Sequence, residues 1–513
     1  MMIIMVFDPV RFRKKLSSVF LLFIVASFAL FLRIYMLRTV ETRLDADESI
    51  VGIMGKHISE GENIPFFFYG QHYGGGHVIE ALTAAAWRKI NPAPSPAAVQ
   101  AAPILFSVLI LFLVFSYTKT KIGMKQAFLA VLLLSVSTPF LKSSLKADGY
   151  IETIFLGLLS LNLLAWAENA AASGRIARSA LLYSASGFIL SIAVWSYDFA
   201  LIYVAVVFAS AIPRAVRNPI RLLLMLAGST VGAIPLISYN ISHNFAHLRH
   251  LTSGGPAGFP SISEILLNFS NLFTKFLPAF FTPDCVHNFV TPPLYSWATF
   301  SAVIISLLCL IPLYRKIPAA VPAIPLLVFV LFSVSGYSGR SPRYLLPAEP
   351  FLSIAISSSV CFLYSSRHLF LRFFSSLILF LFAIGTFSGN SYLFKDDSVV
   401  EGNVKTNPHS LPHIVDLLKE NNVDCIFTTY FIKWQILFLS DEKIQAVDTQ
   451  AAYRDTSFPA FDSSGCPPDA LPTFVLHESS PYRTSLPSIL KSYVSSYKVF
   501  FTMDHIVFIP SPE

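Results

Sequence analysis

Charged residues are scarce in this sequence. Asp, Glu, Lys and Arg together make up 13% of the 513 residues, whereas hydrophobic residues make up 54% and phenylalanine alone occupies 47 positions. A soluble domain carries roughly a quarter charged residues. Apolar runs of bilayer length recur from one end of the chain to the other. The composition therefore excludes an ordinary soluble protein and predicts a helical protein that crosses a membrane many times.

Zinc-type cysteine patterns are also missing. The five cysteines include no Cys-x-x-Cys pair and no Cys/His grouping at metal-ligand spacing. Cys309 and Cys361 fall inside apolar segments and are predicted to be small core residues. Cys285, Cys425 and Cys466 fall in stretches predicted to lie outside the cytoplasm, where a disulfide can form, although its pairing is not set by the sequence. No internal repeat and no low-complexity segment is found.

The basic residues occur in short loops between the apolar segments. The net charge of +7 is therefore a topology signal rather than a nucleic-acid-binding surface. A basic N-terminal stretch, residues 11–15, precedes an apolar run over about residues 16–37, which is too long for a signal peptide and is predicted to be a retained first span. If the N-terminus lies in the cytoplasm, every loop that is then predicted to be cytoplasmic is basic. The positive-inside rule then predicts about eleven transmembrane helices, with the N-terminus in the cytoplasm and the C-terminus outside.

Two domains are predicted, a membrane domain over residues 1–393 and an extracytoplasmic α/β domain over residues 394–513. Within the first outer loop, residues 38–96, helical apolar spacing predicts two amphipathic helices lying in the membrane interface. The aromatic run from Phe66 to Tyr69 lies between them and is predicted to anchor at the headgroup level. After residue 393 charged and turn residues return, and helices alternate with strands, which is typical of a small α/β domain.

Three carboxylates, Asp45, Asp47 and Glu48, follow the first span directly. We call them the acid trio. Acidic residues beside a bilayer are costly unless they are used. The alternative explanation is helix capping, because acids are favoured at an N-cap and in a first turn. Capping accounts for one or two acids, and the trio is therefore predicted to supply a catalytic carboxylate, with Asp47 and Glu48 catalytic and Asp45 binding substrate.

Transfer of a group from a lipid-linked phosphate also needs cations and a groove open to lipid. Lys146 in the second outer loop and Arg340 and Arg343 in the fifth are predicted to hold the donor phosphate. The alternative for Lys146 is a lysine that snorkels to the interface, and for Arg343 a residue flanking a span. The interfacial helices and the aromatic run are predicted to form the groove.

Four further residues are candidates for substrate binding. Three of them, Tyr69, Gln71 and Tyr73, lie in a Gly-rich stretch of the first loop and are suited to contact sugar or acceptor. The structural alternative is that the tyrosines are aromatic residues placed at the membrane interface. Asp148 follows Lys146 closely, and its alternative is an ordinary loop residue.

At these positions the sequence resembles the GT-C superfamily of polytopic glycosyltransferases, and in particular family 39, which is related to protein O-mannosyltransferases and aminoarabinose lipid A transferases. The resemblance covers most of the membrane part and, more weakly, the C-terminal domain. The motifs that carry it are Asp47-Glu48, Gly61, Tyr69-Gly70-Gln71-His72-Tyr73-Gly74-Gly75, Gly187 with Trp195, Gly232-Ala233-Ile234-Pro235 with Tyr239-Asn240, and Arg343-Tyr344-Leu345-Leu346-Pro347.

The resemblance implies roles for several of these residues. Asp47 would be the general base in an inverting transfer from a polyprenyl-phosphate sugar, with Glu48 as its companion and Arg343 as the arginine of the last short outer loop. Many members have an arginine and an acid in the second outer loop, where this chain has Lys146-Ala147-Asp148. Some members bind a divalent metal at an Asp-x-Asp pair, which Asp45-Ala46-Asp47 matches, so that a metal is left open and no other cofactor is expected.

The sequence thus predicts a glycosyltransferase in the inner membrane of a bacterium, with its site on the periplasmic side. Its partners would be a polyprenyl-phosphate sugar donor and a lipid, glycan or protein acceptor, and no nucleic acid. Two alternatives stay open, a transporter or flippase of polyprenyl-linked glycans and a non-catalytic scaffold subunit. A transporter usually places ionisable residues at mid-membrane and often has inverted halves. Here the acids cluster in one outer loop, which favours the enzyme.

Overall fold

The structure is a computed structural model, and it describes most of the chain. The described residues are 9–39, 44–216, 218–252, 260–283, 292–313, 316–334, 341–395, 399–401, 404–407, 409–448, 466, 472–480, 483, 486–490 and 496–511. The predicted phosphate-binding residue Arg340 and the predicted disulfide candidate Cys285 lie outside the described residues.

The described part of the chain up to residue 395 is helical wherever it has regular structure. Its helices are α1 (Pro9–Thr39), α2 (Ala46–Ser59), α3 (Gly75–Arg88), α4 (Pro96–Lys121), α5 (Met124–Val136), α6 (Thr138–Ser143), α7 (Tyr150–Ala172), α8 (Ile176–Ser196), α9 (Leu201–Ala215), α10 (Ile220–Ser242), α11 (Ala246–Thr252), α12 (Ile262–Asn271), α13 (Leu277–Phe280), α14 (Leu294–Leu310), α15 (Ala320–Val334), α16 (Glu349–Tyr364) and α17 (Leu369–Lys395). Short 3-10 or π-helical turns occur at Asp198–Ala200, Leu272–Phe276, Ile311–Leu313 and Pro342–Ala348.

Eight described helical segments are long and apolar enough to cross a bilayer. They are Phe20–Arg38, Pro96–Lys121, Tyr150–Ala172, Ile176–Ser196, Ile220–Ser242, Leu294–Leu313, Pro342–Tyr364 and Leu369–Lys395. Three other predicted spans are shorter helices, because α5 has 13 residues and α9 and α15 have 15 each. The predicted class, a helical membrane protein with a small C-terminal domain, is confirmed, and the number of crossings stays a prediction.

The third predicted span is broken into two helices. α5 ends at Val136, Ser137 has ψ 126°, and Pro139 lies at the start of α6. Proline lacks the N–H that a continuing helix would use. The Asn390 side chain of α17 donates a hydrogen bond of 2.8 Å to the carbonyl oxygen of Val136 that the break leaves open. A partly buried backbone carbonyl is thus satisfied by a side chain of a neighbouring helix, as a polar group within a membrane protein requires.

Glycines allow close packing between α8 and α10. A Cβ added at Gly187 would lie 2.0 Å from the carbonyl oxygen of Met225, and one added at Gly228 would lie 1.9 Å from that of Ser184. Small residues at such contacts let helix backbones approach within a membrane. The motif residue Gly187 therefore has a packing role in the bundle.

The two helices predicted in the first loop are present as α2 and α3, but their surroundings differ from the prediction. Ile50, Val51, Ile53 and Met54 are buried in one core with residues of the C-terminal domain, so α2 does not lie in the membrane interface at these positions. Amphipathic spacing marks a face that needs an apolar partner and does not say whether lipid or protein supplies it.

The predicted aromatic anchor is also wrong for most of its residues. Phe67 and Phe68 are 1% exposed and Tyr69 is 8% exposed. Phe67 packs on Tyr239, with ring centroids 4.8 Å apart, and Phe68 packs on His77 at 4.3 Å. These rings therefore pack against protein rather than lipid headgroups.

The C-terminal part is a small α/β domain, as predicted. Its elements are β1 (Val399–Glu401), β2 (Val404–Thr406), α18 (Ser410–Glu420), β3 (Cys425–Thr428), α19 (Tyr430–Leu439), β4 (Gln445–Asp448), β5 (Phe474–His477), α20 (Leu486–Leu490), β6 (Tyr497–Thr502) and β7 (His505–Pro510). The five-stranded sheet has the order β4-β3-β5-β7-β6. β3 is parallel to β4 and β5, whereas β7 is antiparallel to β5 and β6. β1 and β2 form a separate hairpin.

The cysteines are divided between the two parts of the chain. Cys425 at the start of β3 is disulfide-bonded to Cys466. Cys309 and Cys361 are free and partly buried, and Cys309 packs against the core of the helical bundle, as predicted.

Candidate active site

The acid trio begins α2, and two of its members cap that helix. Asp45 is the N-cap: the Glu48 backbone N–H donates to Asp45 Oδ1 at 2.9 Å, and the Asp45 N–H donates to Glu48 Oε2 at 3.2 Å. This reciprocal pair is a capping box, which satisfies backbone donors that a helix start leaves open. The capping alternative is therefore right for Asp45 and Glu48.

Glu48 also ties the first loop to the second. Its Oε1 accepts a hydrogen bond of 3.1 Å from the Ala147 backbone N–H, and the side chain is 2% exposed. Burial and the neighbouring Asp45 charge raise the pKa of Glu48 to about 8. Both carboxyl oxygens of Glu48 thus accept backbone hydrogen bonds, and its catalytic role stays a prediction.

Asp45 forms an ion pair with the second loop. Lys146 Nζ lies 2.7 Å from Asp45 Oδ2. Burial acts to raise the pKa of Asp45, but the Lys146 charge and hydrogen bond outweigh it and lower the pKa to about 2. Burial acts to lower the pKa of Lys146, and the Asp45 charge reverses this and raises it. Asp45 is therefore anionic, Lys146 is cationic, and Asp45 is too weakly basic to take a proton from a hydroxyl.

Arg343 lies close to this ion pair. Its charge lowers the pKa of Asp45 and of Asp148, although burial raises the pKa of Asp148 overall, to about 6. The guanidinium lies over the rings of Tyr150, at 5.7 Å, and Tyr344, at 5.5 Å. We call Lys146 and Arg343 the cation pair. Within the described part of the chain, Arg343 Nε is buried and has no hydrogen-bond partner.

Asp47 faces a different part of the molecule. Residues two apart on a helix do not share a face. Whereas Asp45 meets Lys146, Asp47 is half-buried and its Oδ1 accepts a hydrogen bond of 3.2 Å from the hydroxyl of Tyr430 at the start of α19. The member of the trio predicted to be the base is thus in contact with the C-terminal domain.

The predicted substrate-binding residues of the first loop are separated from one another. The hydroxyl of Tyr69 lies 3.1 Å from Nδ1 of His57, which is about 15 Å along α2 from Asp47 at 1.5 Å per residue. The predicted role of Tyr69 in substrate binding stays a prediction. The ring of Tyr73 is edge-on to that of Tyr197 at 6.1 Å, and Tyr197 contacts Tyr150 beneath Arg343. Gln71 is half-buried, and its role stays a prediction.

A second group of buried acids supports the second loop. Glu80 Oε1 of α3 accepts a hydrogen bond of 3.1 Å from the Gly149 N–H. Its Oε2 lies 3.3 Å from Nδ1 of His77, and burial together with the charge of the nearby Glu152 raises the pKa of Glu80 well above its ordinary value. Burial and a neighbouring like charge both disfavour the ionised form of a carboxyl group. Sequence reasoning missed this pair, because two acids 72 positions apart give no local signal.

The Asp45-Ala46-Asp47 pattern does not fit a metal site in this arrangement. Both Asp45 carboxyl oxygens already accept hydrogen bonds, one from a backbone N–H and one from Lys146, and Asp47 Oδ1 accepts one from the Tyr430 hydroxyl. Among the residues that the structure describes, no three His, Cys, Asp or Glu side chains converge as metal ligands. A divalent metal at this site stays a prediction.

The C-terminal domain covers this end of the bundle. Lys56 Nζ lies 2.7 Å from Glu442, and Arg88 lies 2.8 Å from Asp441. These ion pairs connect α2 and α3 to the loop after α19. The first loop and the C-terminal domain consequently lie on the same face of the molecule.

No protein-family model and no curated protein sequence matches the chain. Solved structures do match its fold. ArnT from Cupriavidus metallidurans in the apo state has a TM-score of 0.64 at 11% identity, covering 98% of this chain and 100% of that one. The same protein bound to undecaprenyl phosphate has a TM-score of 0.61 at 11% identity, covering 96% and 99%.

The archaeal oligosaccharyltransferase AglB from Archaeoglobus fulgidus, in complex with an inhibitory peptide and a dolichol-phosphate, has a TM-score of 0.56. It is 12% identical, over 97% of this chain and 74% of that one. ArnT and AglB are both GT-C proteins, and the fold expected from the sequence motifs is confirmed.

Proposed function

We propose that this chain is a membrane glycosyltransferase that moves a sugar from a polyprenyl-phosphate carrier to an acceptor hydroxyl. The observation that carries the proposal is the cation pair, Lys146 and Arg343, gathered beside the acid trio at one end of the helical bundle. Structures of the same fold have been solved with undecaprenyl phosphate and with dolichol-phosphate bound. A cationic site at the end of apolar helices suits the same class of ligand.

The cation pair would hold the donor phosphate. Arg343 is positioned by the rings of Tyr150 and Tyr344 and keeps a donor, Nε, that no described residue uses. Arginine and lysine bind phosphate oxygens through charge-assisted hydrogen bonds. As the bond to the sugar breaks, negative charge develops on the phosphate, and fixed cations stabilise that charge most in the transition state.

Asp47 would act as the general base. Asp45 is held by Lys146 and Glu48 is buried under backbone donors, so Asp47 is the member of the trio suited to accept a proton. The acceptor oxygen bonds to the anomeric carbon while the bond from that carbon to the phosphate oxygen breaks. The electron pair leaves with the polyprenyl phosphate, and the hydroxyl proton passes to Asp47.

Inversion at the anomeric carbon follows if base and phosphate lie on opposite sides of the sugar. Asp45 and Asp47 point in different directions from α2, with the cation pair on the Asp45 side. A donor seated over the start of α2 would then present its phosphate to the cations and its other face to an acceptor at Asp47. Asp148, whose carboxyl group interacts with the charges of Lys146 and Arg343, would partly offset their positive charge when it is ionised.

The site would face the outside of a bacterial inner membrane. The positive-inside pattern supports this sidedness, and the disulfide between Cys425 and Cys466 supports an oxidising compartment for the C-terminal domain. In this proposal residues 1–393 form the catalytic membrane domain, and residues 394–513 form the extracytoplasmic domain. The acceptor would be a lipid, a glycan or a protein.

The test is a transfer assay that separates an enzyme from a transporter. The purified protein is reconstituted in liposomes with a panel of labelled undecaprenyl-phosphate sugars and an extract of bacterial envelope as acceptor. We expect label to leave its lipid and appear in a new product, and R343Q and K146Q to reduce this transfer. If label instead crosses the bilayer while still attached to its lipid, the protein is a transporter.

A further inference from the structure

The contact between Asp47 and the C-terminal domain is a hydrogen bond with a defined donor and acceptor. The Tyr430 hydroxyl donates to Asp47 Oδ1 at 3.2 Å. Tyr430 is 4% exposed, and its ring is edge-on to Phe431 at 5.4 Å and to Trp434 at 6.4 Å. A hydroxyl on a packed ring is held in place, and its hydrogen bond therefore limits the orientations open to the carboxylate.

α19 is docked along α2 over the length of that helix. Midway along α2, a Cβ at Gly52 would lie 2.3 Å from a ring atom of Phe438, so the two helices meet at the glycine. Toward the end of α2, Lys56 and His57 both contact Glu442, at 2.7 and 3.2 Å. Contacts at the start, middle and end of α2 fix the position of Tyr430 relative to Asp47.

This arrangement gives a carboxylate of the membrane domain a partner from another domain. Asp45, the described side chain that accepts a hydrogen bond from Lys146, belongs to the membrane domain. The hydroxyl that donates a hydrogen bond to Asp47 belongs to Tyr430 of α19. A base must be oriented toward the proton that it removes, and small displacements are costly in rate.

We propose that Tyr430 is a positioning residue that orients the Asp47 carboxylate, and that the C-terminal domain thereby completes the active site. The proposal rests on the function proposed above, in which Asp47 removes the acceptor proton. Tyr430 takes no part in bond making. Its hydroxyl keeps its proton and donates a hydrogen bond to Asp47 before and during the transfer.

The contact itself is tested without any assay of activity. Thermal unfolding of the purified protein is measured for D47A, Y430F and the double variant, with Y497F on β6 as a matched loss of a tyrosine hydroxyl in the same domain. We expect the two single effects to be non-additive, because each variant removes the same hydrogen bond. Additive effects would show that the hydroxyl and the carboxylate do not interact, and would overturn the proposal.

The positioning role is tested by kinetics. In Y430F we expect kcat for sugar transfer to fall about ten- to hundredfold, the range for loss of a hydrogen bond to a charged group, with the KM for donor unchanged. Y497F should transfer sugar at the rate of the unaltered protein. A normal kcat in Y430F overturns the positioning role.

The two proposals fail in different ways. If D47N transfers sugar at the full rate, Asp47 is not the base, and the proposed role of Tyr430 is refuted as well. Loss of transfer in D47N together with a normal kcat in Y430F leaves the function standing and removes only the positioning role. If Y430F unfolds, Y430W supplies a second ring without the hydroxyl, and the same kcat criterion applies to it.

Discussion

At the residue scale, three neighbouring carboxylates have three different environments. Asp45 is paired with Lys146, Glu48 is buried under two backbone donors, and Asp47 meets a tyrosine hydroxyl. The sequence predicts the trio and its place after the first span, because acids beside a bilayer stand out from an apolar background. The sequence assigns Asp47 and Glu48 to catalysis and Asp45 to substrate binding, but it does not show that Asp45 and Glu48 cap α2, because capping and catalysis both favour acids at a helix start.

Asp148 is expected to make donor binding depend on pH. Burial raises its pKa to about 6, while Asp45, with a pKa of about 2, stays charged from pH 5 to pH 7. Asp148 is anionic above its pKa and then partly neutralises the cation pair, whereas below it the cations act on the phosphate undiminished. A sugar phosphodiester keeps one negative charge throughout this range. Donor should therefore bind more tightly at pH 5 than at pH 7, by about threefold or more.

The measurement is the Kd for a labelled undecaprenyl-phosphate sugar between pH 5 and pH 7. In D148N the Kd should stay nearly constant over this range. D416N, at an exposed position on α18, is the control and should behave like the unaltered protein. A pH dependence that survives unchanged in D148N would exclude Asp148 as its source.

At the element scale, α2 connects the two domains. The sequence predicts two helices in the first loop, which are α2 and α3, and alternating helices and strands after residue 393, because apolar spacing and turn residues mark them. It misplaces α2 at the membrane interface, since the partner of its apolar face is α19, almost 400 positions away. Likewise, the break at Ser137 depends on Asn390 of α17, whose side chain donates a hydrogen bond to the carbonyl oxygen of Val136.

A larger side chain at Gly52 is expected to disturb the docking of α19. The G52V side chain would overlap the ring of Phe438, because even a Cβ comes within 2.3 Å of it. Overpacking of this kind costs about 1–3 kcal/mol. We expect G52V to lower the unfolding temperature and to expose the C-terminal domain to limited proteolysis. F438A in the same protein should restore part of the loss by making room.

S59A, near the end of α2, serves as the control for a change in the same helix. It should leave both the unfolding temperature and the proteolysis pattern nearly unchanged. An unfolding temperature in G52V equal to that of S59A would mean that α2 and α19 are not packed as described.

At the scale of the whole molecule, the fold is shared with ArnT and AglB at 11% and 12% identity. The order of several short motifs, together with their predicted sidedness, was enough to predict this fold from the sequence. The three short helices α5, α9 and α15 show why helix number is harder to predict, because hydropathy marks apolar segments and tertiary contacts decide where a helix ends.

Sidedness is tested by labelling single cysteines in intact spheroplasts. Cys285, Cys309 and Cys361 are first changed to alanine, which leaves the disulfide in place. A cysteine at Glu62, exposed after α2, should react with a membrane-impermeant maleimide, and one at Ser173, exposed after α7, should react after lysis alone. The reverse pattern would put the acid trio in the cytoplasm.

The central claim is that Asp47 removes the acceptor proton at a site where Lys146 and Arg343 hold the donor phosphate. The most direct measurement is single-turnover sugar transfer by D47N in membranes that contain a labelled lipid-linked donor, with donor binding measured on the same sample. The account predicts a loss of about 100- to 10,000-fold in the transfer rate with binding retained. Transfer at the unaltered rate by D47N would contradict it.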